Sequence, residues 1–434
     1  MDISGILILM ISFFLLLSLG VPIAYSIGIS ATLTMLAGIL PLPAFTTMAQ
    51  RMATGIQSFP LLAIPFFILA GQLMNHGGIA RRLIEFARVL VGGLPGGLAF
   101  VNIIANMLFG AISGSAAASA SAIGTIMTGK MADEGYDRSF AAAVNISSSS
   151  TGLTIPPSNI LIVYSLASGG LSVAALFLAG YVPGILTGIF LTAIAATMAY
   201  RKNYPAGEKS SLRQAAIRFL DAIPSLLLLV IVIGGIISGL FTATEASAIA
   251  VLYTLILGAV YREIKFSELS SIILKSVQTS SIVLLLVATS IGLSWVMSYE
   301  NIPSEVSHAL LGLSSNKFII LLIINIILLI VGTFMDMTPA VLIFTPIFLP
   351  VVTGPEIGLE PVHFGIIMVM NLCVGLTTPP VGSLLFIGCS VAGISIEKVI
   401  KPLLPMFAAM IIVLLLITYL PELSLWLPRL VGKM

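Results

Sequence analysis

Long apolar stretches dominate this sequence and decide the solvent in which it folds. Eight of them approach the ~20 residues that a helix needs to cross the hydrocarbon core of a bilayer. They lie at roughly residues 4–20, 22–40, 61–75, 174–198, 224–240, 246–260, 276–297 and 402–420. Because a spanning segment must satisfy its own backbone hydrogen bonds, we expect helices, and the chain is predicted to be an all-α polytopic membrane protein.

Charge is too scarce to cover a separate water-soluble domain. Only 8% of the 434 residues are charged, against about a quarter in soluble domains, and 58% are hydrophobic. The net charge of +2 is spread along the chain and forms no patch for nucleic acid. The start of the chain has neither a basic region nor a cleavage site, so we expect it to be kept as the first membrane helix.

Two further apolar segments are interrupted by small and polar residues and are predicted to be re-entrant helical hairpins. They span 98–130, interrupted at Gly110–Ser115, and 318–352, interrupted at Gly332–Pro339. In the first, each arm has about 15 residues and would reach roughly 22 Å as a helix, too short to cross comfortably. The hairpin tips are therefore expected near the middle of the bilayer.

Two other apolar segments contain a proline pair and are predicted to be discontinuous helices. They span 139–170, interrupted at Ser147–Ser158, and 362–392, interrupted at Gly375–Pro380. Paired prolines remove two N–H donors and disfavour helix at the preceding residue. We expect each of these helices to be unwound within the membrane.

The second pair of interruptions repeats the first. Gly-Leu-Thr-Ile-Pro-Pro at 152–157 and Gly-Leu-Thr-Thr-Pro-Pro at 375–380 are identical at five of six positions, with a displacement of 223 residues. The hairpin tips recur at nearly the same displacement. The sequence therefore predicts two structural copies, at 1–200 and 223–434, joined by a cytoplasmic amphipathic connector at 201–222.

Basic residues fix the orientation of the two copies. If the N-terminus lies outside and each hairpin returns to its own side, fifteen basic residues fall inside: Arg81, Arg82, Arg88, Lys130, Arg138, Arg201, Lys202, Lys209, Arg213, Arg218, Arg262, Lys265, Lys275, Lys398 and Lys401. Only four fall outside: Arg51, Lys317, Arg429 and Lys433. This distribution obeys the positive-inside rule. Five crossings in the first copy then make the second an inverted-topology repeat.

Irregular backbone at membrane depth persists only where it is buried in protein or lines a cavity. Inverted repeats with discontinuous helices are typical of secondary transporters, in which helix N-termini face anions and unwound carbonyl groups bind cations. The four interruptions therefore indicate a transport site. Our hypothesis is that the hairpins and broken helices move as one block against the remaining helices.

Hydroxyl and carbonyl oxygens are the chemistry available at the interruptions. Such oxygens suit a hard monovalent cation and a small anion held by hydrogen bonds. Serines in membrane helices also commonly donate to the preceding turn, which is the plainer interpretation of any one of them. Asp336 is either a functional acid at membrane depth or the N-cap of the next helix.

Catalytic and cofactor sites are not indicated. His76, His308 and His363 lack metal-ligand spacing, and Cys373 and Cys389 are interpreted as packing residues. Glycines at 92–97 lack the lysine and spacing of a phosphate loop, so neither ATP nor an organic cofactor is expected. Glu245 is assigned a structural role at a helix start.

At these residues the sequence resembles the large membrane subunit, of the DctM type, of tripartite ATP-independent periplasmic (TRAP) transporters. The resemblance covers essentially the whole chain. It is carried by Pro60–Gly71, Met74–Ile79, Ile112–Ala116, Gly152–Ser158, Gly239–Ala246 and Gly375–Pro380. It implies an elevator-type, Na+-coupled importer of carboxylates such as sialic acid or C4-dicarboxylates in the bacterial inner membrane. The implied partners are a small four-helix membrane subunit and a periplasmic substrate-binding protein.

The resemblance also implies particular ligands. One Na+ would be held by Gly110, Ser113, Gly152, Ile155 and Pro157. A second Na+ would be held by Gly332, Gly375 and Thr378. Substrate would lie near Ser113, Ser115, Ser148 and Pro157. Ser119 stands where the family commonly has aspartate, which leaves the polar network and the substrate open.

Three other functions were compared with the TRAP permease. The alternative is a stand-alone Na+-coupled anion transporter of the same fold, without a binding protein. A channel would need charge rings or a filter repeat. A membrane-embedded enzyme would need an acid–base or metal constellation.

The opposed orientation of the two copies predicts a labelling pattern. Cysteines introduced at positions 51 and 317 should react with a membrane-impermeant maleimide in intact spheroplasts. Cysteines at 81 and 275 should react only after permeabilisation. If 51 and 317 were labelled from opposite sides, the two copies would share one orientation and the inverted repeat would be wrong.

Overall fold

The structure, a computed structural model, describes residues 3–207, 211–314, 316–379 and 381–434. Lys209, assigned above to the inner side, and Pro380, the second proline of the second pair, lie outside the described residues. No strand occurs within these ranges, and one isolated antiparallel bridge joins Pro95 to Ala206.

The first half of the chain is a series of helices, with a 3-10 turn at Phe59–Leu62 before the fourth. In chain order they are α1 (Ile3–Ser18), α2 (Ile23–Gly38), α3 (Pro41–Gly55), α4 (Ala63–His76), α5 (Ile79–Val91), α6 (Gly97–Ser113), α7 (Ala116–Asp133), α8 (Arg138–Ser149), α9 (Thr151–Thr154), α10 (Asn159–Ala167) and α11 (Val173–Arg201).

The second half follows a similar order. They are α12 (Leu212–Ser238), α13 (Ala243–Val260), α14 (Phe266–Tyr299), α15 (Ile302–Leu313), α16 (Lys317–Phe334), α17 (Met337–Thr353), α18 (Pro361–Gly375), α19 (Ser383–Ala392), α20 (Ile396–Tyr419) and α21 (Glu422–Leu430).

Among the described residues, seven helical segments are long and apolar enough to cross a membrane: 59–76 and those of α11, α12, α13, α14, α16 and α20. Six of them coincide with the apolar windows predicted from the sequence. The two remaining windows correspond to the shorter apolar helices α1 and α2. The prediction of an all-α polytopic membrane protein is confirmed.

Helix breaks occur in all four interrupted segments. Gly114, in the left-handed conformation at φ 61°, separates α6 from α7, and Met335 and Asp336 separate α16 from α17. Residues 155–158 are non-helical between α9 and α10, and the chain leaves the helix again between α18 and α19. The first unwound stretch is shorter than the predicted Ser147–Ser158, since α8 continues to Ser149.

Three short helices were not predicted, namely α5, α15 and α21. The helical part of the connector also differs from the expectation. It begins at Leu212 and runs without a break into the spanning part of α12, so no separate helix ends at residue 222. Pro224 lies inside α12 and does not terminate it.

The two broken helices occupy the centre of the molecule. Every residue of Phe140–Ser158 and of Val362–Thr377 is buried. Large apolar side chains on outer helices are exposed instead, for example Ile11 and Phe14 of α1 and Val230 of α12. This distribution places the irregular backbone inside protein and the apolar outer surface towards lipid.

Packing between the halves is reciprocal. Helix α7 packs on α19 while α17 packs on α10, and α4 packs on α13 while α2 packs on α14. Helices α8 and α20 form a third such contact, matched by α18 and α11. Each half therefore supplies the packing partners of the other.

A polar cluster on the predicted inner side ties the start of α8 to the end of α11. Lys202 donates a hydrogen bond to the Asp137 carboxylate, which lowers the pKa of Asp137 below its usual value. The Asp137 N–H donates to the Tyr204 hydroxyl at 3.2 Å, and the rings of Tyr136 and Tyr204 stack with centroids 4.3 Å apart. The entry into the first broken helix is thus fixed.

Candidate cation and substrate site at the helix interruptions

The first hairpin meets the first broken helix through two glycines, a pairing we call the first glycine contact. A Cβ added at Gly152 would lie 2.3 Å from the Cα of Gly110, and one added at Gly110 would lie 2.8 Å from the Cα of Gly152. Only glycine at both positions allows the backbones to approach this closely. Two residues that the sequence assigned to one cation are therefore adjacent.

The second half contains the equivalent pairing, the second glycine contact. A Cβ added at Gly375 would lie 2.6 Å from the Cα of Gly332. Beside it, the N–H of Gly382 donates to the carbonyl of Thr333 at 3.1 Å, which joins the hairpin to the unwound stretch. A Cβ on Gly382 would also lie 2.7 Å from the carbonyl oxygen of Thr378. Gly332, Gly375 and Thr378 are thus brought into one region.

The two broken helices also touch each other, just before their unwound stretches. The Cys373 thiol lies 3.4 Å from the carbonyl oxygen of Ser150 and 3.8 Å from the Thr154 hydroxyl. Ser150 and Cys373 are separated by 223 residues, the displacement of the repeat, so they are equivalent positions in the two halves. The two glycine contacts consequently flank one central crossing.

The first hairpin tip is lined by oxygen atoms. Ser113 ends α6, and its hydroxyl donates to the carbonyl of Ser115 at 3.4 Å. Ser115 is the N-cap of α7 and accepts from the N–H of Ala118 at 3.3 Å. Asn159 lies over the turn at Gly114, and its buried Oδ1 has no hydrogen-bond partner among the described residues. Asn159 was not among the residues predicted for the site.

Ile155 and Pro157 lie within the unwound stretch that follows Gly152. Both are buried, and the side chain of Ile155 fits against Gly184 of α11. The carbonyl of Thr154 faces Gly180 on the same helix. The assignment of Ile155 and Pro157 as carbonyl ligands for a cation stays a prediction.

Ser148 lies one helical turn before the first glycine contact, in a buried amide cluster. Its hydroxyl donates to the carbonyl of Val144 at 2.7 Å and accepts from Asn106 Nδ2 at 2.9 Å. Asn106 also lies within hydrogen-bond distance of Asn102 and Asn145. The amides of α6 were not predicted as part of a site, and their only signal is the four-residue spacing of Asn102 and Asn106, which places them on one face of the helix.

Ser119, which departs from the usual family residue, belongs to the same cluster. Its hydroxyl donates to Asn106 Oδ1 at 2.7 Å. In the second half, Asn371 Nδ2 donates to Asn325 Oδ1 at 2.6 Å, and Asn325 in turn donates to Thr418 at 3.1 Å. Buried amides therefore lie one helical turn before each glycine contact, at Asn106 and at Asn371.

The hydroxyls at 147–151 bond to the preceding turn of their own helix, which was the plainer of the two interpretations. Each of the five donates to a carbonyl three or four residues earlier, at distances between 2.6 and 3.0 Å. These bonds satisfy the buried hydroxyls within their own helix, which continues to Ser149 and resumes at Thr151.

Asp336 occupies the N-cap position of α17, as one of its two interpretations required. Its side chain makes no capping hydrogen bond and is exposed. Glu245, by contrast, forms a capping box with Thr242 at the start of α13. A functional role for Asp336 stays a prediction.

Among the described residues there is no group of three or more His, Cys, Asp or Glu side chains that could hold a metal ion. The interruptions instead bring together carbonyl, hydroxyl and amide oxygens. Such an arrangement can bind a monovalent cation through neutral oxygens and a small anion through N–H and O–H donors.

The family model described as "Tripartite ATP-independent periplasmic transporter, DctM component" matches residues 10–423. The chain belongs to the DctM family. It is a large permease subunit of a TRAP transporter and a multi-pass membrane protein of a bacterial transporter family. The members of this family are transporter permeases and not enzymes.

Three relatives illustrate the similarity of this DctM protein to the family. It is 58% identical to the uncharacterized protein YgiK of Salmonella typhimurium, over 98% of this chain and 97% of that protein. It is 42% identical to the isethionate TRAP transporter permease DctMQ of Oleidesulfovibrio alaskensis, over 95% of this chain and 65% of that protein. It is 37% identical to the C4-dicarboxylate permease DctM of Rhodobacter capsulatus, over 95% and 96% of the two chains.

The fold itself is similar to a solved transporter. The structure of YdaH from Alcanivorax borkumensis aligns with a TM-score of 0.60 over 90% of this chain and 89% of that one, at 14% identity. At this identity the likeness concerns the fold alone.

The first glycine contact predicts a sharp cost for one added methyl group. Gly152→Ala should destabilise the protein by about 1–3 kcal/mol, because the new Cβ must displace backbone of α6. Gly234→Ala in α12 is the matched control, since nothing lies within 4 Å of its added Cβ. Thermal unfolding in detergent measures both, and equal melting temperatures would contradict the close contact.

Proposed function

We propose that this DctM protein is the permease of a Na+-coupled importer of a small organic anion. The anion carries a carboxylate or sulfonate group, since two relatives are named as permeases for C4-dicarboxylate and for isethionate, a sulfonate. The observation that carries the proposal is the pair of glycine contacts, which set the unwound backbone of each broken helix against a hairpin.

Neutral oxygens at these contacts support Na+ as the coupling ion. Na+ is a hard cation that binds carbonyl and hydroxyl oxygens without needing a carboxylate. In the proposed first site, Gly110, Gly152 and Ser113 lie within one hairpin tip and the adjoining helix break. In the proposed second site, Gly332 and Gly375 are in contact, and Thr378 follows on the same unwound stretch.

Reciprocal packing supports the inverted repeat. A two-fold relation between the halves requires that each contact of a first-half helix with a second-half helix has a counterpart with the roles exchanged. The contacts of α7 with α19 and α17 with α10 have this relation, as do those of α4 with α13 and α2 with α14. The touching equivalent residues Ser150 and Cys373 are the contact expected beside such an axis.

Transport by an elevator movement is the mechanism that this arrangement favours. The hairpins and broken helices would form the moving block, carrying anion and Na+ together. Helices such as α2, α4, α13 and α14 would form the scaffold. Rigid-body movement of one repeat-built block against another is the usual form of alternating access in such folds.

The proposed transporter works in the bacterial inner membrane, with the N-terminus in the periplasm. Its partners are a small membrane subunit and a periplasmic substrate-binding protein, as the family name implies. Full-rate uptake without any binding protein would instead favour the stand-alone alternative. Which anion is carried, sialic acid included, is decided by uptake assays with a panel of organic acids and the cognate binding protein.

Substitution of Thr378 tests the second cation site. Thr378→Val should raise the Na+ concentration for half-maximal uptake about tenfold, the equivalent of one lost hydrogen-bonding oxygen at ~1.4 kcal/mol. Uptake into proteoliposomes is measured as Na+ is varied. Thr32→Val is the control, because Thr32 likewise donates to a carbonyl four residues earlier but lies on α2. An unchanged Na+ response in Thr378→Val would refute the assignment.

Alanine at Ser113 or Ser148 tests the substrate site. Each change should lower uptake without lowering the amount of folded protein, if the hydroxyl contacts the anion. Ser30→Ala provides the comparison, since Ser30 is a buried serine of α2 whose hydroxyl donates to a backbone carbonyl. Parallel losses of folded protein and uptake would assign the serine to packing.

A further inference from the structure

A cavity of about 340 Å³ lies away from the interruptions, and we call it the Arg51 cavity. Its walls come from α3, α14 and α17 and from the end of α10. Helices α3 and α14 contribute Arg51, Ser290, Ile291, Ser294, Trp295 and Ser298. The rest of the lining consists of Leu166, Ala167, Gly169, Leu342 and Pro346.

One helix supplies most of the polar wall. Ser290, Ser294 and Ser298 are spaced four residues apart on α14, so their side chains share one face. The hydroxyl of Ser290 is buried and has no hydrogen-bond partner among the described residues. An unpartnered buried hydroxyl is costly unless a ligand or water bonds it. This position therefore provides a donor for a bound oxyanion.

Of the described residues that line this cavity, Arg51 alone is charged. It forms no ion pair with a described residue, and its guanidinium lies over the ring of Trp295, 5.8 Å from the centroid. Helix α3 is held against α14 where Met48 fits on Gly292 and Ile291 fits on Gly55. The guanidinium is thus presented on a packed support with its fork of donors free for a carboxylate or sulfonate.

A second cavity, on the predicted inner side, also contains arginines, but these are paired with acids. It measures about 430 Å³ and contains three arginines, but acids compensate them. Arg81 lies 2.8 Å from Glu263, Arg82 lies 4.0 Å from the same carboxylate, and Arg218 lies 4.0 Å from Asp221. No acid is among the described residues that line the Arg51 cavity. Its chemistry is therefore selective for an anion.

The Arg51 cavity lies between the proposed scaffold and the proposed moving block, on the route of a transported anion. Helices α3 and α14 belong to the proposed scaffold, whereas α10 and α17 belong to the proposed moving block. In the proposed topology Arg51 lies on the outer side. The cavity is thus an outer opening of the seam between the two parts.

We propose that the Arg51 cavity is a receiving site that holds the carboxylate or sulfonate group of the transported anion before it reaches the hairpin tips. Arg51 binds the oxyanion, Ser290 and Ser294 donate to it, and Trp295 packs against its carbon chain. This inference rests on the proposed function, but the Arg51 cavity is a different site from the glycine contacts.

The chain provides its own reporter for this site. It contains two tryptophans, Trp295 and Trp426, and the latter lies exposed on α21, so Trp426→Phe leaves Trp295 as the single indole. The full-length protein in lipid nanodiscs is titrated with succinate, isethionate and N-acetylneuraminate, and with 1,4-butanediol as the uncharged control. A saturable change of Trp295 emission is expected with at least one anion and not with the diol.

Substitutions then separate charge at this site from charge elsewhere. In the Trp426→Phe background, Arg51→Gln should weaken binding about tenfold or more, since it removes a charge-assisted hydrogen bond, whereas Arg51→Lys should keep part of the affinity. Lys317→Gln removes an exposed outer cation that does not line the cavity, and it should leave binding unchanged. In uptake assays, Arg51→Gln should raise KM with little change in kcat.

The outcomes distinguish this inference from the proposed function. Na+-dependent uptake that is unaffected by Arg51→Gln, or Trp295 emission that responds to none of the three anions, overturns the receiving site and leaves the importer intact. Absence of Na+-dependent uptake for every organic anion overturns the proposed function. If Lys317→Gln and Arg51→Gln weakened anion binding equally, the effect would come from general surface charge. That result would also overturn the receiving site.

Discussion

Backbone hydrogen bonding in a medium without water is the constraint on which this structure depends. Each unsatisfied N–H or C=O group in hydrocarbon costs several kcal/mol, so helix breaks at membrane depth must be enclosed by protein. The structure meets this requirement by burying every residue of Phe140–Ser158 and of Val362–Thr377 and by pressing a hairpin against each broken helix. Glycine is required at the two crossing points because any side chain would separate the backbones and admit lipid or water.

This enclosure also determines the chemistry that the DctM protein can offer. Buried carboxylates would be expensive at this depth, and the interruptions instead present amide, hydroxyl and carbonyl groups. The amide clusters around Asn106 and Asn371 stiffen the helices just below the breaks, so that neutral oxygen atoms are held in place without fixed charge. Charge that could attract an anion is found farther out, at Arg51.

The fold was largely readable from the sequence because its main determinants are local. Proline pairs, glycines and apolar run lengths act within a few residues, and they located all four interruptions and the spanning helices. What escaped prediction depends on contacts between distant segments. Ser147–Ser149 remain helical inside a fully buried segment, and the amide cluster needs α6 to meet α8. Helices α5 and α15 are too short and amphipathic to give an apolar window.

The contact between Ser150 and Cys373 carries a consequence for the ancestry of the fold. If one gene of half this length once encoded a protein that paired with an inverted copy of itself, this position would have faced its own duplicate across the dyad. A residue that packs against its own symmetry copy at van der Waals distance has to be small and uncharged. Serine and cysteine both meet this requirement. After fusion the two sites were free to diverge, and the present pairing of a serine position with a cysteine position agrees with that freedom.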